Sequence, residues 1–222
     1  MDLHGLIDLL RDALPLMLKG AGYTLLLAVA AMIGGLLIGT LVAVIRLAKL
    51  PVLAQLSALY VSCMRGTPLL VQLFVIYFGL PSIGIQFEPF SAGILGLSLN
   101  VGAYLSETIR GSINGVSHGQ WEAAKSLGLT YGQALHHVVG PQALRLAVPS
   151  LSNSLISLIK DTSLVSVIAV GELMLATKEV IATTFQPFPL YLAAAGIYWA
   201  MSASFEVVQK RLELRLNRMY VR

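Results

Sequence analysis

The chain is short of most of what a chemical site is built from. Its 222 residues include one cysteine and four histidines, and only 12% of them are charged. A single cysteine excludes a disulfide framework, and Cys63, set in an apolar run, reads as a small packing residue rather than a nucleophile. His136 and His137 are adjacent, hence on different faces of a helix, and no cysteine or carboxylate completes a metal-ligand set with them. There is no G-x-S-x-G elbow and no G-x-x-x-x-G-K-S/T loop to cradle ATP. The net charge of +4 does not point to nucleic acid, because the cations sit at the ends of apolar runs rather than along one stripe.

What is abundant is apolar surface. The composition is 56% hydrophobic and the mean hydropathy is +0.78, with leucine-rich runs near the length that crosses a bilayer. Helices satisfy their own backbone groups in lipid, so the pattern reads as an all-α integral membrane protein. Asp2 to Leu18 carries Leu3, Leu6, Ile7, Leu10, Leu14 and Met17 near helical spacing between Asp8, Arg11 and Asp12, and is expected to lie as a helix in the interface. Its acidic start and lack of a long apolar core make it a poor signal peptide, so it is expected to be retained. Tyr23 to Ile45 is the first span, carrying Gly35-x-x-x-Gly39, a spacing that lets a neighbouring helix approach closely.

A second apolar stretch, Leu53 to Leu80, is interrupted by Arg65-Gly66-Thr67-Pro68. Arginine at mid-span is expensive, which places Arg65 near the inner headgroups. Residues 53–64 then form an interfacial helix, the span starts near Thr67, and Pro68 occupies its first turn. A third span runs from about Phe90 to Ile109, with Asn100 and Tyr104 one turn apart on one face, either lining a cavity or bonding another helix. Leu144 to Ala176 is too long for one straight span and is read as a fourth span plus a re-entrant or outer interfacial helix, and Leu190 to Val208 is the fifth span. With five spans, Arg46, Lys49, Arg65, Arg110, Lys125, Arg145, Lys210, Arg211, Arg215, Arg218 and Arg222 lie near the inner side, and only Arg11, Lys19 and Lys178 outside. That distribution sets the N-terminus outside and the C-terminus in the cytoplasm.

Between the third and fourth spans lies a polar island, Ser117 to Pro141. Ser117 with Gln120, and Thr130 with Gln133, fit capping boxes that start two short helices. Gly128 suits a left-handed stop for the first, and Gly140-Pro141 is expected to stop the second. Ala123 and Ala124 leave the first helix approachable, and Glu122 is free to meet a cation. The island is a docking element or, more plainly, a solvated loop.

Glu122-Ala123-Ala124, with Gly128, Val138 and Pro141 at fixed spacing, resembles the EAA loop of ABC importer permeases. Gly140 stands where that family usually has leucine, which implies a more flexible exit. Arg65-Gly66-Thr67-Pro68-Leu69, Leu97-Ser98-Leu99-Asn100 with Ala103-Tyr104, and Lys160-Asp161-Thr162-Ser163-Leu164 are similar to the polar amino acid uptake branch. The resemblance implies a type I ABC importer permease fold with five transmembrane helices, divided into an outer interfacial helix (1–19), a permease domain (20–209) with a cytoplasmic coupling loop (111–143), and a basic cytoplasmic tail (210–222). It implies a dimer with a second permease chain, identical or paralogous, in a bacterial inner membrane. ATPase subunits that bind ATP and magnesium would dock on Glu122, Ala123, Ala124, Gly128 and Pro141, and a soluble binding protein would deliver the substrate outside. The chain itself needs no cofactor.

Lys160 and Asp161 are ionisable residues in an apolar region, where the default reading is functional. They could match the carboxylate and ammonium of a free amino acid, or pair to fix helix packing; Asn100, Tyr104, Ser154 and Leu164 complete the candidate substrate site. An intramembrane enzyme using Lys160 and Ser163 is the competing class. Binding a cationic side chain would require a further unpaired carboxylate, and Glu107 is neutralised by Arg110 three residues on; an anionic one would require a further cation at depth. The substrate is therefore read as a polar amino acid without net side-chain charge. Leu18 to Thr24, Gly79-Leu80-Pro81 and Gly119-Gln120-Trp121 resemble L-cystine permeases, with glutamine or histidine as alternatives.

Overall fold

The computed structural model describes residues 3–48 and 50–218. Asp2, Lys49 and Arg222, used above, lie outside them, as do the side chains of Leu3 and Arg218. All regular structure in the described residues is helical: α1 (Leu3–Leu47), α2 (Pro51–Gly66), α3 (Leu69–Phe74), α4 (Pro89–Asn114), α5 (His118–Ser126), α6 (Tyr131–Ala134), α7 (Gly140–Asp161), α8 (Leu173–Thr184) and α9 (Pro187–Arg218). Short π and 3₁₀ turns follow α3, α6 and α7.

The segment read as a separate interfacial helix and the first span form one element, with no break at Lys19-Gly20. The cause is packing: Ala13, Met17 and Ala21 are buried against Leu173 of α8 and Leu190 and Ala194 of α9. Further along, α1 runs against α4. A Cβ on Gly35 would come within 2.4 Å of Val101 Cγ1, and one on Gly39 within 2.9 Å of Gly102 O, so the small residues of the Gly35-x-x-x-Gly39 pattern set this crossing distance. The central core gathers Leu27 and Ala31 of α1, Leu73 of α3, Leu97, Val101 and Leu105 of α4, and Leu158 and Ile159 of α7.

Between α2 and the helical segment Leu69–Ile83 the chain turns by 109°, at the Gly66-Thr67-Pro68 interruption. Pro68 caps α3 from outside rather than entering its first turn. Cys63, read as a packing residue, is exposed on α2. Among the described residues, α1 alone has the length and apolarity of a span, or two such spans exist if the bent pair counts as one. By length α4, α7 and α9 reach roughly 39, 33 and 48 Å, but the serine, asparagine and charged residues they carry lower their hydropathy. The long stretch after Leu144 divides at residues 162–172, leaving α8, at 12 residues, too short to cross a membrane.

Glu172 holds this division in place. Its carboxylate is fully buried and caps α8, accepting the Met174 and Leu175 amides at 2.9 Å each. It also accepts the Tyr198 hydroxyl of α9 at 2.7 Å and lies 3.4 Å from the Thr24 hydroxyl of α1. A buried charge persists only when its lone pairs are satisfied, and here donors from three helices satisfy them.

Candidate functional site

A cavity of about 480 Å³ opens between the α2–α3 break, α4 and α7. Five of the six residues expected at a substrate site line it: Asn100, Tyr104, Ser154, Asp161 and Leu164. The spacing of Ser154, Ser157 and Asp161 puts them on one face of α7, opposite the Asn100-Tyr104 face of α4. Thr67 and Pro68 close one side. Arg65 lies over the Tyr104 ring, 5.4 Å from its centroid, a cation–π contact that holds the ring at the cavity wall.

Lys160 is placed elsewhere. One residue along a helix is a 100° turn, and Lys160 opens with Ser163, Ser202 and Glu206 onto a separate cavity between α7 and α9. Lys160 and Asp161 therefore do not present one ammonium and one carboxylate side by side. Asp161 is half-buried and makes no hydrogen bond or ion pair with the described residues.

Seven lining residues were not expected at the substrate site, and three of them are polar: Thr67, read from the sequence as the start of a span, Asn153 and Ser157. Asn153, Ser157 and Asp161 recur at i, i+4 and i+8 in an otherwise leucine-rich helix, a polar stripe that could have revealed them. Asn153 Oδ1 accepts from Gln209 of α9 at 3.2 Å, leaving its amide hydrogens available. Outside the cavity, Glu107 is paired with Arg110 at 2.7 Å, as the spacing implied, and also with Arg46 of α1, a partner 61 positions away that no local spacing announces.

The polar island folds as two short helices. The second capping box forms: Gln133 N–H donates to Thr130 Oγ1, and Thr130 N–H to Gln133 Oε1. The first does not. Gln120 N–H is satisfied by the Ser117 carbonyl at 3.0 Å, and Gln120 Oε1 instead accepts Gln142 Nε2 across the loop at 3.0 Å. After α5, Gly128 takes φ +76° and a Schellman pair closes the helix, Leu129 N–H to Ala124 O and Gly128 N–H to Lys125 O.

Gly140-Pro141 does not stop the second helix, nor is the exit loose. The π turn Leu135–Val139 delivers the chain directly into α7, whose first turn tolerates the missing N–H of Pro141. A Cβ at Gly140 would fall 2.6 Å from Leu135 O, so glycine suits this tighter path. Within the same turn His136 and His137 meet edge to face at 4.7 Å rather than diverging. Trp121 anchors α5, packing on Val116, Val139 and Ala143 and stacking on Tyr131 at 5.2 Å. Ala124 is buried beneath it, while Ala123 and Glu122 face outward, Glu122 lying 3.5 Å from His118.

Residues 35–218 match the family described as the binding-protein-dependent transport system inner membrane component. The chain is 43% identical over 202 residues to the probable amino-acid ABC transporter permease protein YckA of Bacillus subtilis, covering 91% of this chain and 89% of that one. It is 42% identical to the L-cystine transport system permease protein TcyB of the same organism, covering 95% and 91%. A crystal structure of an amino acid ABC transporter with histidines superposes with a TM-score of 0.90 at 34% identity, covering 97% of this chain and 99% of that one. The all-helical fold is that of type I ABC importer permeases. The chain belongs to the family of inner-membrane components of binding-protein-dependent transport systems, and it is a permease subunit of an ABC importer, a transport protein and not an enzyme.

Proposed function

We propose that this permease carries a polar amino acid without net side-chain charge, L-cystine first among the candidates, through the cavity between α4 and α7. The observation that carries this reading is Asp161: a carboxylate with no ion pair among the described residues, lining the same cavity as Asn100, which is otherwise lined by neutral groups. Asp161 meets the substrate ammonium. With Lys160 on another cavity, the substrate carboxylate is met by the Asn153 amide and the Ser157 hydroxyl. With one carboxylate engaged by the ammonium, none remains for a cationic side chain, since Glu107 already holds two arginines. Glutamine and histidine satisfy the same charge rule and stand as alternatives.

The chain works as five spans, N-terminus outside and C-terminus in the cytoplasm, paired with a second permease chain. A binding protein delivers the amino acid from outside. Two ATPases bind ATP and magnesium, and each receives one α5 helix around Glu122, Ala123 and Ala124. The closure at Gly128 and the continuous path through Pro141 support this, because they join α5 to the cavity-lining α7 without a slack linker. Co-expression tests the reading: ATP-dependent amino acid uptake that appears only with the cognate ATPase supports it, and uptake that needs no ATPase would contradict it.

A further inference from the structure

Pro68 leaves a carbonyl without its helical partner. In a continuing helix Met64 O would receive the N–H of residue 68, and proline has none. Two side chains take its place. Gln72 Nε2 donates to Met64 O at 2.9 Å and Asn100 Nδ2 donates to it at 3.2 Å.

The surroundings of Gln72 fix which way both amides point. Besides Met64 O, its Nε2 faces Thr67 O at 3.1 Å and Thr67 Oγ1 at 2.9 Å. The Thr67 hydroxyl spends its own hydrogen on Cys63 O at 2.8 Å, so all three oxygens facing Gln72 act as acceptors. Only the NH₂ end of Gln72 can face them. Its Oε1 is thereby turned to Asn100, which must answer with a donor, and Asn100 Nδ2 does so at 3.0 Å. With Nδ2 committed to Gln72 and Met64, Asn100 Oδ1 is the polar atom left over, and it accepts nothing from the described residues. Asn100 lines the cavity; Gln72 is buried behind it and does not.

We infer that Gln72 is a positioning residue that locks the Asn100 amide with its oxygen toward the cavity, making Asn100 an obligatory acceptor that selects substrates bearing an ammonium group. The inference rests on the cavity being the substrate site. Pro68, Thr67, Gln72 and Asn100 then form one relay, in which a main-chain break sets the polarity of a binding group.

The test is equilibrium binding to the purified full-length permease–ATPase complex without binding protein. The probes are labelled L-cystine and L-glutamine, each competed by its analogue lacking the amino group, dithiodipropionate or glutaramate. The unmodified complex favours the amino acids. In Gln72→Leu the Asn100 amide is held only by its longer contact to Met64 O, and affinity for the amino acid falls about tenfold while that for the analogue does not, the effect of one hydrogen bond to a charged donor. Gln72→Glu keeps an acceptor oxygen facing Asn100 and retains the discrimination. Adding Gln72→Leu to Asn100→Ala changes nothing further. Gln72→Met repeats the test should the leucine variant not assemble. A parallel loss of amino acid and analogue would overturn the inference and leave the cavity reading standing. Unchanged binding in Asn100→Ala and Asp161→Ala would instead remove the cavity reading itself.

Discussion

Lys160 and Asp161 are neighbours in the chain and open onto different cavities, Asp161 between α4 and α7, Lys160 between α7 and α9. The two charges therefore have separable roles. Asp161→Ala is expected to abolish uptake while leaving membrane insertion and ATPase assembly intact. Lys160→Met is expected to leave substrate affinity within about twofold, since it removes no group from the cavity. Radiolabelled uptake and co-purification check both. Equal loss of affinity in the two variants would restore the side-by-side pair.

The loop gives a second prediction. Gly128 sits at φ +76° with open space where a Cβ would be, so the cost of a side chain there is conformational, about 1 kcal/mol for alanine. Proline, fixed near −65°, cannot adopt it at all. Gly128→Pro and Glu122→Lys are expected to insert normally yet fail to bind the ATPase and to transport. Pull-down with the ATPase reads this directly, and normal coupling in both variants would remove the docking role from α5.

How much of this was legible in the sequence depended on whether a signal was local. Gly128 and the Thr130–Gln133 capping box depend on residues three or four apart, and both formed as read. Ser117–Gln120 looked equally local, but Gln142, 22 positions on, competes for the Gln120 side chain. The placement of Lys160 away from Asp161 follows from the helical turn alone and needed no structure. Arg46 on Glu107, and Glu172 between Thr24 and Tyr198, join residues 61, 148 and 26 positions apart, and no periodicity announces such pairs. The break at Thr67-Pro68 was visible; the amides of Gln72 and Asn100 that satisfy it were not, because they become partners only once the chain has turned by 109°.

Glu172 carries a stability prediction. Glu172→Ala strips two α8 amides and the Tyr198 hydroxyl of their buried acceptor, and is expected to cost about 3 kcal/mol. Thermal unfolding of the detergent-purified complex should show a lowered midpoint, with Glu172→Gln intermediate. An unchanged midpoint in the alanine variant would mean that this cluster does not tie α1, α8 and α9 together.

Orientation is tested by a single thiol. In a Cys63→Ser background, Gln120→Cys is exposed on the loop and is expected to react with a membrane-impermeant maleimide only in inverted vesicles. Labelling in intact cells would place the loop outside and reverse the topology.

The central claim is that this chain, driven by a separate ATPase, imports a polar amino acid of no net side-chain charge. Proteoliposomes holding the permease with its ATPase, ATP inside and binding protein outside, measure it directly. The account predicts ATP-dependent accumulation of labelled L-cystine that excess arginine or glutamate barely reduces and that Asp161→Ala eliminates. Preferential uptake of arginine would contradict it, because the cavity holds no second free carboxylate to receive a guanidinium.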